Sequence, residues 1–146
     1  MNRLITTVPF ALALLSSCVW DRAQIRPMGR SPKELQFRIS QEADTAIPVR
    51  SLIALTVTWH PCGQPVESGG SVVWALRAID GVGAKPAPFT IAYSKAPPGY
   101  TSEKGPLRLE DGCYEVYMLG ANVRGFGAFA IHGDSVLDPP VARTKG

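Results

Sequence analysis

The chain has 146 residues, 45% of them hydrophobic, which suits one globular domain with a packed core and argues against a second. Its 15 basic residues are scattered among 12 acidic ones, for a net charge of +3. Since nucleic-acid binding needs a concentrated basic stripe, this charge pattern excludes it as a function. The 14 glycines and 13 prolines separate short apolar runs, as is typical of an all-β chain with frequent turns.

The first residues predict an export signal. Arg3 supplies a positive charge, and residues 4–15 form an apolar segment of the length found in secretory signals, too short to span a membrane. The segment ends in Leu15-Ser16-Ser17-Cys18, which resembles the lipobox of bacterial lipoproteins. The resemblance implies that residues 1–17 are removed and that Cys18 becomes the lipidated first residue of a membrane-anchored protein. Cleavage at a nearby small-residue site, with no role for Cys18, is the alternative.

The residues after Cys18 bear on location and on the link to the domain. In bacterial lipoproteins an Asp directly after the lipidated Cys favours retention at the inner membrane. Val19 and Trp20 follow Cys18, so the resemblance implies an outer-membrane location facing the periplasm. Residues 18–34 have no sustained period and predict a flexible tether. Its basic residues, with no acidic residue between them, indicate either attraction to anionic headgroups or a solvated segment. These basic residues are Arg22, Arg26, Arg30 and Lys33.

Seven runs of alternating apolar residues predict the strands of one domain at residues 35–137. In chain order they lie near residues 35–40, 49–59, 72–77, 89–93, 107–109, 114–118 and 125–132. The second run is the strongest strand signal, and His60-Pro61 ends it. Residues 94–105 are predicted as a long loop and residues 138–146 as a disordered tail. Short strands separated by turns predict an antiparallel β-sandwich.

Two features resemble the immunoglobulin-like and fibronectin-like families. The spacing of Leu109, Gly112 and Tyr114 resembles their tyrosine corner, in which a Tyr near the start of a strand hydrogen-bonds the upstream backbone. Trp74, on the third predicted strand, resembles the core Trp of immunoglobulin-like domains. The resemblance implies an Ig-like or fibronectin III-like sandwich of about seven strands. That family's second disulfide Cys follows the corner Tyr by two residues, whereas this chain has Val116 there.

The two cysteines that follow Cys18 form a candidate disulfide. Cys62 and Cys113 are a pair in a chain expected to be exported, where disulfides persist, and we expect them to be bonded. In immunoglobulin strand order the two positions lie at opposite ends of the sandwich, beyond the reach of a disulfide. Either the loop after His60 turns back, or the strand order differs, or the bond does not form.

The same strand order brings three loops, at residues 60–71, 94–105 and 119–125, to one end of the sandwich. Loops held by a rigid sandwich are common places for binding residues, and they are also where a sandwich keeps its solvated turns. The candidate binding residues in these loops are His60, Gln64, Tyr100, Asn122 and Arg124.

No residue pattern predicts a catalytic, metal or cofactor site. Cys113 and Met118 lack the intervening His that blue-copper sites require. His60 and Cys62 could act as base and nucleophile, but an exported Cys with a spare partner is usually oxidised. We therefore expect a non-catalytic envelope lipoprotein that binds or assembles an envelope protein or glycan and uses no cofactor. A small periplasmic enzyme using His60 or His132 and a purely structural envelope component are the alternatives.

Overall fold

The computed structural model of the protein describes residues 21–41, 51–80, 90–121 and 123–139. Nine strands run through these ranges, and all of them belong to one sheet. The strands are β1 Asp21–Met28, β2 Gln36–Gln41, β3 Ala54–His60, β4 Ser71–Ala78, β5 Thr90–Ala92, β6 Tyr100–Lys104, β7 Gly112–Gly120, β8 Val123–His132 and β9 Ser135–Leu137. The all-β prediction is confirmed. The expected signal peptide, Cys18, Asn122 and residues 140–146 of the expected tail lie outside the described residues.

The sheet has the strand order β5-β2-β1-β8-β7-β3-β4-β6, with β9 paired to the end of β8. It curls, so that its two edges share one core. Tyr93, directly after β5, packs edge-on against Trp74 of β4 with ring centroids 5.1 Å apart. Among the described ranges, no helix is both long and apolar enough to cross a membrane.

One neighbouring pair of strands departs from the antiparallel prediction. β1 and β8 pair in parallel, with Asp21 opposite Val123 and Gln24 opposite Phe126. β1 and β2, which are joined by a short connection, are antiparallel, so the exception is confined to the other side of β1. The sheet is mixed, and its strand order is not that of an immunoglobulin domain.

Residues 21–34, predicted as a tether, are part of the fold. β1 lies between β2 and β8, with Ala23 and Ile25 buried in the core. The short 3₁₀ turn Pro32–Glu34 leads into β2. The tether prediction is wrong for these residues. The strand gave no period-2 signal, because only two apolar side chains occupy its inward positions before Pro27 interrupts the alternation.

Residues 94–111 also differ from the prediction. Tyr100–Lys104, expected in a loop, forms the edge strand β6 beside β4. It escaped detection because four of its five side chains are exposed, so no apolar alternation marks it. Leu107 and Leu109, expected in a strand, belong to none, and Leu107 is 50% exposed while Leu109 is buried.

The core lies inside the curl and contains the side chains that the alternation placed there. Leu55, Val57, Trp74 and Phe129 are fully buried, and Ile131 is almost so. Tyr114 stacks on Phe129 with ring centroids 4.8 Å apart. Val73 is buried beside Trp74 because the register between β3 and β4 shifts between Val57 and Thr58.

The predicted disulfide is confirmed, and the strand order explains it. β3 and β7 are direct antiparallel neighbours, so the end of β3 meets the start of β7 and His60 lies opposite Cys113. Cys62, two residues further on, is bonded to Cys113, with Cα atoms 5.0 Å apart. Of the three alternatives that the sequence left open, a different strand order is the one found.

Candidate functional site

The structure divides the predicted binding residues between the two ends of the sheet. His60 and Gln64 lie where β3 finishes, and Nδ1 of His60 is 2.9 Å from the backbone oxygen of Gln64. Tyr100 and Arg124 lie at the other end, where β6 and β8 begin. The prediction of one loop cluster is therefore wrong, because antiparallel neighbours such as β3 and β7 place their following loops at opposite ends.

Tyr100 has a structural role in the end of the sheet where it lies. Its side chain is 7% exposed, and its hydroxyl donates a hydrogen bond of 2.9 Å to the backbone oxygen of Leu52. Burial raises the pKa of this hydroxyl, so it remains a neutral donor. Tyr100 thus anchors the residues before β3 and does not present its ring to a ligand.

The tyrosine corner lies at the disulfide end of the sheet. The hydroxyl of Tyr114 donates to the backbone oxygen of Glu110 at 2.6 Å and accepts from the Glu110 N–H at 2.8 Å. Gly112 has a φ of +149° and leaves room for the indole of Trp59, which donates to the backbone oxygen of Asp111 at 3.1 Å. Local spacing therefore identified a hydrogen-bonded corner, although the sheet around it has another strand order.

A cleft of about 590 Å³ opens at this same end. Its walls come from the 3₁₀ turn at 32–34, the residues after β5, the segment 106–109 and the turn between β8 and β9. Lys33 and Arg108 bring positive charge to the cleft and Asp134 negative charge, while Pro106 and Leu107 bring apolar surface. An apolar wall with a few charged groups is the usual lining of a ligand site.

The segment 107–110 is fixed in place although it belongs to no strand. Leu107 donates its N–H to the backbone oxygen of Val73 at 2.9 Å, and its own oxygen accepts from the Tyr93 hydroxyl at 2.7 Å. Tyr114 holds Glu110, and the side chain of Leu109 is buried. Burial raises the pKa of Tyr93, and the nearby Tyr114 raises it further, so its hydroxyl stays protonated and keeps donating.

A second cavity, of about 420 Å³, is also lined by residues of this segment. Trp59, Val73 and Tyr114 contribute to its lining. Leu107 and Arg108 line both cavities. The segment 106–109 thus has a fixed backbone and contributes residues to both cavities. We refer to it as the wall segment.

The two histidines lie near this end but outside the residues that line either cavity. Nδ1 of His132 is 3.2 Å from a carboxylate oxygen of Asp111, with the two side chains 84% and 60% exposed. The other oxygen of Asp111 accepts from the Gly133 N–H at 2.8 Å, which ties the pair to the turn before β9. Nε2 of His60 is 4.0 Å from Glu115. Within the described ranges, no group of three His, Cys, Asp or Glu side chains could hold a metal ion.

Sequence reasoning missed the residues that line the cleft. Lys33 was assigned to a tether, Tyr93 to a core strand and Arg108 to no role. The cleft joins four segments that are far apart in sequence, so no local spacing could identify it. The alternation of Leu107 and Leu109 is the one sequence signal in the wall segment, and it predicted a strand where the structure has none.

Comparison of the chain with protein-family models, with curated proteins and with solved structures finds no match.

Proposed function

We propose that the protein is a lipid-anchored component of the bacterial envelope, located at the periplasmic face of the outer membrane. Its β domain acts as a non-catalytic binding module for an envelope protein or glycan. The anchor rests on the resemblance of Leu15-Ser16-Ser17-Cys18 to a lipobox. The Cys62–Cys113 disulfide agrees with an oxidising compartment.

The observation that carries the binding role is the fixed wall segment beside the cleft. Leu107 is 50% exposed, and hydrogen bonds from Tyr93 and to Val73 hold its backbone. A wall that is already ordered loses little conformational freedom when a ligand packs on it, so more of the contact energy remains as affinity. The apolar surface of Leu107 beside the charge of Arg108 suits a ligand with an apolar group next to a polar or anionic one.

The position of the cleft agrees with an anchored protein. β1 begins three residues after Cys18 and ends near the 3₁₀ turn that lines the cleft. A strand of eight residues spans about 26 Å, at about 3.3 Å per residue. The cleft therefore lies at the end of the sheet away from the anchor, where a partner can reach it.

A photo-cross-linking residue at position 107 tests the binding role in growing bacteria. We expect Leu107→benzoylphenylalanine to yield a discrete adduct after irradiation, because this side chain lies in the cleft. Ile79→benzoylphenylalanine is the matched control, since Ile79 is also apolar, is 63% exposed and lies outside both cavities. Equal labelling at the two positions, or none at 107, would contradict the binding role. The intact mass of the same purified protein tests the anchor, because it shows whether the chain is cleaved before Cys18 and whether Cys18 is acylated.

A further inference from the structure

The outward face of β1, β2 and β8 carries positive charge around two aromatic rings. Arg22 and Arg26 on β1 and Arg38 on β2 are all exposed and point away from the core. Phe126 on β8 is 63% exposed, and its ring lies against that of Tyr117, with centroids 5.0 Å apart. We call these five residues the arginine face.

The register places the aromatic pair between two rows of arginine. Arg26 lies directly opposite Arg38, and Arg22 directly opposite Arg124. In the row between them, Phe126 lies opposite both Gln24 and Tyr117. Rows on one face of a sheet are about 7 Å apart, so a ligand on Phe126 is within reach of both arginine rows.

The arrangement carries a cost for folding. Like charges directly opposite one another destabilise a sheet, and Arg26 and Arg38 are such a pair. The outward positions from 22 to 28 on β1, from 36 to 40 on β2 and from 124 to 128 on β8 contain no acidic residue, and Glu115 on β7, opposite Ala128, is the outward carboxylate beside Tyr117. An exposed Phe at the centre is also unfavourable in water. An excess of positive charge on three neighbouring strands around an exposed ring indicates a partner that is anionic and has apolar material beneath its charges.

We propose that the arginine face docks on the anionic phospholipid headgroups of the membrane that holds the anchor. This inference rests on the proposed function, because the anchor brings the face within reach. Two residues separate Cys18 from Asp21 at the start of β1, so the Cα atoms of Cys18 and Asp21 are about 11 Å apart at most. Guanidinium groups bind phosphate oxygens in pairs of hydrogen bonds, and an aromatic ring is stable at the boundary between headgroups and acyl chains. The domain thus lies on the membrane through β1, β2 and β8.

The test uses the full chain purified from bacterial membranes in neutral maltoside micelles, titrated with short-chain phosphatidylglycerol or phosphatidylcholine. NMR follows the backbone amides and the arginine side-chain N–H groups. We expect phosphatidylglycerol, and not phosphatidylcholine, to shift the signals of Arg26, Arg38 and their neighbours on β8. Because each arginine near an anionic surface contributes about fivefold in affinity, Arg26→Gln with Arg38→Gln should weaken binding about 25-fold.

The matched control is Lys95→Gln with Lys104→Gln, which removes the same charge from exposed positions outside the arginine face. It should leave lipid binding almost unchanged. The arginine double variant should keep or raise the melting temperature, because it removes a like-charge pair, so lost binding cannot be ascribed to unfolding. Equal weakening by both double variants, or equal shifts with the two lipids, would overturn the proposal.

A sulfated polysaccharide added as a competitor separates lipid from an anionic polymer. If it shifts the same signals at lower concentration than phosphatidylglycerol, the lipid assignment is wrong and the face binds a polymer. The intact mass of the sample keeps this inference separate from the anchor. If the protein is acylated but phosphatidylglycerol causes no specific shifts, membrane docking by the arginine face is refuted and the anchor is not. If the protein is unacylated but the shifts are seen, the anchor is refuted and lipid binding by the arginine face is not.

Discussion

Three tyrosine hydroxyls hold backbone outside the nine strands that cross the described ranges. Tyr93 binds the oxygen of Leu107, Tyr100 that of Leu52, and Tyr114 the backbone of Glu110. Only the Tyr114 bond was predictable from sequence, since it spans four residues and follows a local spacing. The Tyr93 and Tyr100 bonds span 14 and 48 residues, so they depend on how the sheet curls.

These tyrosines predict how stability depends on alkaline pH. Burial raises the pKa of Tyr93, Tyr100 and Tyr114 above the value of about 10 for a tyrosine in the unfolded chain. As the pH rises past about 10, the unfolded state therefore loses protons first and the free energy of unfolding falls, whereas below that pH it is unaffected. Urea unfolding at a series of pH values measures this loss.

The variant Tyr93→Phe should make the free energy of unfolding fall less steeply as the pH rises past about 10. At neutral pH it should lower the free energy of unfolding by about 1 kcal/mol, because the hydrogen bond to Leu107 is lost. Tyr117→Phe, at a half-buried ring on the outer side of β7, is the matched control. Its free energy of unfolding should fall with alkaline pH as steeply as that of the wild type. The same alkaline slope in the Tyr93 variant and in the wild type would show that this hydroxyl does not contribute to it.

Among the elements, the pairing of β3 with β7 determines how the disulfide end is built. It places His60 opposite Cys113 and joins the loop after β3 to the tyrosine corner. Each strand was predicted, because both alternate strongly and bury one face. That β3 and β7 are neighbours was not predicted. Alternation indicates which face of a strand is buried, but it does not indicate which other strand lies beside that strand.

Removing the disulfide should lower stability without changing the fold. The two cysteines are 51 residues apart, and closing a loop of that length stabilises the folded state by about 4 kcal/mol in the chain-entropy model. We expect Cys62→Ser with Cys113→Ser to lose about this amount in urea unfolding. The wild type should show the same loss when reductant is added, and the double variant should not respond to reductant. A double variant as stable as the oxidised wild type would contradict the chain-entropy account.

At the scale of the whole molecule, β1 decides whether the N-terminal residues belong to the domain. It pairs with β2 over six positions and with β8 over four, and it buries Ala23 and Ile25. It also supplies two of the three arginines of the arginine face and leads to the 3₁₀ turn beside the cleft. A single internal strand thus connects the proposed anchor, the charged face and the proposed ligand site.

A chain that begins at Leu35 should therefore fail to fold, since it lacks an internal strand and leaves β2 and β8 with unpaired edges. We expect loss of the cooperative thermal transition followed by circular dichroism, because a small domain has only about 5–15 kcal/mol of stability to lose. A chain that begins at Val19 retains β1 and is the control. A cooperative transition in the shorter chain, at the temperature of the control, would show that residues 21–34 are only a link.

The sequence by itself determined the fold class, the inward residues of the main strands, the tyrosine corner and the cysteine pair. These properties are local, because alternation, turn residues and short spacings act within a few residues. Only the tertiary structure decided the strand order, the inclusion of β1 and β6, the cleft beside Leu107 and the grouping of Arg26 with Arg38. These depend on which segments become neighbours when the sheet curls around Trp74 and Phe129, and backbone hydrogen bonds between distant strands form with almost any side chain.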